Sequence, residues 1–105
     1  MINWDRVAEL RNDFGEEDFL EIVEMFLSEV EEKLRLLPDQ PSTALSEDFH
    51  FLKGSAANLG FKAFQTLCCQ NEKEPDPNAI PEVQNLFRLS KEAFLQGVNG
   101  SHKVA

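Results

Sequence analysis

The chain has 105 residues, 42% hydrophobic and 28% charged, with a net charge of −9. That length carries one domain around a single core, and the acidic surface disfavours nucleic acid and anionic lipid as partners. No apolar run approaches the roughly 20 residues that cross a bilayer, the first residues lack a basic-then-apolar leader, and no glycine-rich phosphate loop or dinucleotide fingerprint occurs.

In chain order the pattern is helical throughout. A short amphipathic segment is predicted at about 4–12, stopped near Gly15, which can supply a left-handed C-terminal cap. Glu16, Glu17 and Asp18 open a second helix, about 16–37, where acids complement the helix dipole. Its apolar stripe is Phe19, Val23, Phe26, Leu27, Val30, Leu34 and Leu37, with the glutamates mostly on the other side as a solvated face. Pro38 and Pro41 end it, and Ser42 or Thr43 can cap a third helix over about 42–58, closed by Gly60.

A fourth helix is expected at about 62–73, with Phe64, Leu67 and Cys68 apolar. The run Glu74-Pro75-Asp76-Pro77-Asn78 is a loop, and Pro81 suits the first turn of a last helix, about 80–96, with Val83, Leu86, Phe87, Phe94 and Val98 inward. The tail from Gly97 is expected to fray. Four amphipathic helices with short connections predict an all-α, antiparallel up-down four-helix bundle in a single domain spanning 1–105, with the first segment as a lid.

The acids are unevenly spread: residues 1–37 hold eleven against four bases, whereas the rest is nearly balanced. A protein partner with a basic rim fits that surface. The two cysteines, Cys68 and Cys69, are adjacent and could bridge only with strained geometry, so a reducing, cytoplasmic setting is expected and the pair reads as small apolar residues.

The informative stretch is Phe49-His50-Phe51-Leu52-Lys53-Gly54-Ser55-Ala56-Ala57-Asn58-Leu59-Gly60. A histidine between aromatics is ordinarily core packing. On a wheel of about 100° per residue, however, Leu45, Phe49, Leu52, Ala56 and Leu59 define the buried stripe and His50 lies roughly 140° from its centre, facing solvent. Small groups border it: Ser46 one turn before, Gly54 one turn after, and Ala57 beyond. Gly54 costs about 1 kcal/mol relative to Ala inside a helix, and close approach of another molecule to His50 is a reason to keep it. Lys53 follows by three positions and can reach the space beside the ring, where it could stabilise an added anion. A neutral imidazole, which titrates near pH 6.5, is a competent nucleophile, so an exposed ring here could accept a phosphoryl group.

From His50 to Gly60 the sequence resembles the signature of histidine-containing phosphotransfer (HPt) domains: a histidine, an apolar residue, Lys-Gly, small residues and a Leu-Gly helix end. The layout extends the resemblance over roughly residues 2–98. It implies that His50 accepts a phosphoryl group from a receiver-domain phosphoaspartate and passes it to another receiver, that Lys53 steadies the charge, and that Gly54 leaves room for the partner. It also implies no kinase or ATP site and no resident cofactor, Mg²⁺ being brought by receiver domains of hybrid histidine kinases and response regulators. The sequence departs from the pattern after Cys69, where Gln70, Asn71 and Glu72 interrupt it. Gln65, Cys69 and Glu72 all stand as candidates to orient His50.

A docking surface is expected around Phe51, Ser46 and Ala57, with Phe51 about 120° from the core stripe. Phe14, Gly15 and Leu20 would complete its apolar patch, while Asp48 is expected to be solvated. Glu47 and His50 form a Glu-x-x-His pair of the type used by di-iron bundles, but those sites need two such motifs pointing inward; His102 has no matching Glu, so no metal is expected. The competing reading is a bundle that binds receivers without phosphoryl transfer, against which the joint presence of His50, Lys53 and Gly54 argues. A monomer is expected.

Overall fold

The structure is a computed structural model that describes the backbone of residues 1–104 and the side chains of residues 1–98. It is all-helical: α1 (Trp4–Leu36), α2 (Leu45–Leu59), α3 (Lys62–Lys73) and α4 (Ile80–Val104), with single 3₁₀ turns at Leu37–Asp39, Ser42–Ala44 and Pro77–Ala79. The body is elongated, 46 × 20 × 20 Å.

The two N-terminal segments expected from the sequence run together as α1, broken at Gly15. Its φ of 79° and ψ of 161° are open only to glycine, but that ψ is extended, so Gly15 is a one-residue break and not the left-handed cap expected there. Arg11 spans the break, with its guanidinium 4.6 Å above the Phe19 ring and Nε 3.4 Å from Glu16. The first limb starts at Asn3, whose side chain accepts from the Arg6 amide. Val7 and Leu10 are buried and Trp4 stacks on Phe94 with ring centroids 6.1 Å apart, so this limb is part of the core wall. Beneath Trp4 lies Gly97, where a Cβ would come within 2.1 Å of the indole. That contact sits within a helix continuing to Val104, in place of the frayed tail expected from Gly97.

The apolar stripes lie where the periodicity put them. Phe19, Val23, Leu27, Val30, Leu34 and Leu37 meet Leu45, Phe49, Leu52, Ala56 and Leu59 in one core. Phe61 anchors it, with ring centroids 5.8 Å from Phe87 and 5.4 Å from Phe94, while Phe64 lies 5.4 Å from Phe87. Phe26, Leu67 and Leu86 are only partly buried.

Neither Ser42 nor Thr43 caps α2. Both lie in a 3₁₀ turn that feeds directly into the helix, with Ala44 at the N-cap and no side-chain cap. At the other end Gly60 is left-handed (φ 77°, ψ 22°) and its N–H closes onto the carbonyls of Ala56 and Ala57. The turn is also tied to the N-terminus, where the Asn3 amide donates to the Gly60 carbonyl at 2.7 Å. A Cβ on Gly60 would stand 2.7 Å from the Asn3 carbonyl oxygen.

Asp48, expected in solvent, is buried. It is 7% exposed, with Oδ1 accepting from Lys33 Nζ at 3.2 Å. It lies three residues after Leu45 and four before Leu52, both core positions, so it occupies the edge of the buried stripe facing α1.

Candidate functional site

His50 is the sixth residue of α2, on the face opposite the core and one residue after the fully buried Phe49. A single helical step of about 100° turns the side chain from packing to solvent, and the imidazole side chain is 70% exposed. Gly54 is exposed one turn later, and a Cβ there would meet nothing within 4 Å. The histidine therefore has open space along its own helix. Ser46, one turn before, is exposed, and its hydroxyl donates to the Glu72 carbonyl at 3.0 Å, tying α2 to the end of α3. Ala57 is half-buried.

Of the three α3 candidates, Glu72 reaches the ring: its Oε2 is 3.0 Å from His50 Nδ1. Its other oxygen, Oε1, is 2.5 Å from Lys53 Nζ. Lys53 thus stands beside His50, as its spacing predicts, in partnership with a carboxylate. The Lys53 and His50 hydrogen bonds, in that order, hold the Glu72 carboxyl below its ordinary range, against the opposing effect of burial. The hydrogen bond to Glu72 in turn holds the Lys53 ammonium above its ordinary value. An ionised carboxylate only accepts, so the proton of a neutral His50 ring belongs on Nδ1 and the lone pair on Nε2. The arrangement can present a nucleophilic nitrogen to solvent with a fixed tautomer and a neighbouring cation.

Gln65 and Cys69 line a groove with Lys53 instead of touching the ring. Cys68 is buried, and burial pushes its thiol up to about 12. Among the described residues no group of three or more His, Cys, Asp or Glu side chains is placed to hold a metal ion; the His102 side chain lies outside them.

The expected apolar patch divides into two. Phe51 is 39% exposed, and its ring lies 5.2 Å from Lys33 Nζ in a groove of about 510 Å³ lined also by Ser28, Glu29, Glu32 and Leu36. Phe14 and Leu20 are exposed but do not line it. Leu20 is thirteen positions before Lys33 on α1, about 20 Å along the helix axis at 1.5 Å per residue, so it cannot complete a patch at Phe51.

No helix among the described residues is long and apolar enough to cross a membrane. No curated protein and no solved structure matches the chain. A family model described as Hpt domain matches residues 21–93, a span that includes His50, Lys53, Gly54 and Glu72 and leaves the first limb of α1 outside. Hpt domains are phosphotransfer intermediates of phosphorelays and interact with receiver domains of two-component systems. On that match, together with four helices and no strand among the described residues, the chain belongs to the Hpt domain family.

Proposed function

We propose that this chain is a phosphorelay intermediate that takes a phosphoryl group onto His50 from a receiver-domain phosphoaspartate and delivers it to a second receiver. The observation that carries the reading is the pairing of an exposed imidazole with Glu72 at Nδ1, beside the open face left by Gly54. In the forward step the Nε2 lone pair attacks phosphorus, an N–P bond forms, the aspartyl O–P bond breaks and the aspartate leaves as a carboxylate. The Nδ1 proton stays on the ring, which becomes cationic as it is phosphorylated, and the Glu72 carboxylate offsets that charge. Lys53, shared until then with Glu72, is in reach of the incoming phosphoryl oxygens. The return step reverses these bonds at another receiver.

The chain holds no cofactor of its own in this reading, the receiver supplying Mg²⁺ bound by its carboxylates. The carrier acts in the cytoplasm as a monomer. The bundle is antiparallel and up-down, an order supported by the Lys33–Asp48 contact between the end of α1 and the start of α2 and by the short Gly60–Phe61 turn between α2 and α3. Phe51, Ser46 and Ala57 border the docking face. Incubation with a phosphorylated receiver should leave acid-labile, base-stable phosphate on the peptide that contains His50. Phosphate mapping to another residue, or none, removes the reading.

A further inference from the structure

Resting on the reading of His50 as the phosphoryl carrier, we propose that the lysine groove between α2 and α3 seats the acidic rim of the receiver's phosphorylation site. The groove, about 370 Å³, is lined by Lys53, Lys62 and Lys73 with Gln65, Cys69 and Gln70, and no acid lines it. On α3 these residues follow helical spacing, so Lys62 and Lys73 mark the ends of a stripe about 16 Å long.

The charge of this groove is exceptional in the molecule. The chain carries 19 acids and 10 bases. Among the described residues every lysine and arginine pairs with a carboxylate except Lys62 and Lys73, and both of these face the same groove. Glu72, which holds Lys53 at the edge of the groove, is already engaged by Lys53 and His50. A net charge of −9 implies a basic-rimmed partner for the chain as a whole, but in this groove the sign is reversed.

The partner's chemistry complements that reversal. A phosphoaspartate brings about two negative charges, and the Mg²⁺ beside it is held by further carboxylates. Such a rim would be repelled by the acidic α1 and attracted by the uncompensated lysines of the groove. Lys53 joins the two regions, because it lines the groove and contacts the carboxylate that holds His50. An aspartate in line with His50 therefore brings its rim over the groove. Lys62 and Lys73 act through encounter and orientation, not at the reacting atoms.

The test measures the second-order rate of transfer from a phosphorylated receiver domain to the full chain as a function of salt. The Lys62→Gln/Lys73→Gln variant should transfer at least about fivefold more slowly at 10 mM ionic strength, where the screening length is about 30 Å, with a flatter salt dependence. Near 1 M salt, where that length is about 3 Å, it should come within about twofold of wild type. Lys91→Gln removes the same charge from a lysine paired with Glu31 and should stay within about twofold of wild type throughout. Labelling of His50 by phosphoramidate, a small donor that needs no docking surface, should be the same in all three proteins. A double variant that kept the wild-type rate and salt slope would overturn the groove. So would one that kept them while losing retention on DNA or phosphatidylserine vesicles, which would assign the groove to another polyanion. If phosphoramidate labels His50 but no receiver does, the groove proposal falls and His50 remains the site; if neither labels it, both fall.

Discussion

Glu72 Oε2 lies 3.0 Å from His50 Nδ1, joining residues 22 apart in sequence and on different helices. The same carboxylate holds Lys53 through its other oxygen. One side chain therefore sets the tautomer of the ring and the resting position of its neighbouring cation. Replacing it separates those tasks. Glu72→Gln retains a carbonyl oxygen that can accept from Nδ1, and should transfer within about threefold of wild type, whereas Glu72→Ala leaves the ring unheld and should transfer about tenfold more slowly or worse. Equal rates for Glu72→Ala and wild type would deny Glu72 a positioning role.

The Glu72–Lys53 pair also predicts a pH signature in stability. Glu72 is held below its ordinary 4.5, so its ionised form stabilises the fold above that pH, and the contribution is lost as pH falls through the lowered value. Lys53 is held above 10.5, so its contribution is present below that pH and lost as pH rises through the raised value. In urea unfolding, the stability difference between wild type and Glu72→Gln should be level between about pH 5 and 10 and shrink on both sides. A difference that stays level through the acid limb would contradict the pairing.

At Gly54 folding and function should part company. The position is exposed and an added side chain meets nothing, so Gly54→Gln should stabilise the helix by about 0.5–1 kcal/mol. The same side chain fills the space beside His50 that a docked receiver would use, and transfer should fall at least about tenfold. Denaturation and transfer rates measured on the one variant decide this, and undiminished transfer by the stabilised protein would remove the steric argument.

The buried end of the Lys33–Asp48 pair makes the two residues unequal. Asp48 is nearly enclosed, whereas Lys33 is about one-third exposed and also covers Phe51. Lys33→Met strands a buried carboxylate and should cost about 1–3 kcal/mol, discounted for the solvent access of the lysine. Adding Asp48→Leu should recover most of that loss, because the stranded charge is gone. Urea midpoints for the single and double variants provide the check, and a neutral Lys33→Met would place Asp48 in contact with water.

What was legible in the sequence was what helical period controls. Phe49 buried and His50 exposed follow from one step on the wheel, as does the open flank at Gly54. Asp48 is expected in solvent from its charge, and the Lys33 ammonium that lets a carboxylate sit at the buried edge between Leu45 and Leu52 comes from α1, beyond any local pattern. Features that depend on how two helices are rotated against each other were not readable. Glu72 could be named beside Gln65 and Cys69 but not chosen, because the Gly60–Phe61 turn sets which α3 face meets His50. The packing of Trp4 on Gly97 joins the two ends of the chain, and no local pattern announces it. Phe14 and Leu20 flank the Gly15 junction, and the length of α1 that separates them from Phe51 is not visible in the apolar pattern that suggests one patch.

His50 as the phosphoryl carrier is tested by the time course of phosphate transfer from a radiolabelled receiver domain to wild type and to His50→Gln, with helicity and urea midpoint recorded for both. The ring is exposed and its loss creates no cavity, so the variant should fold as wild type does, within about 0.5 kcal/mol, and acquire no acid-labile phosphate above background. Labelling of folded His50→Gln at the wild-type rate would contradict the account.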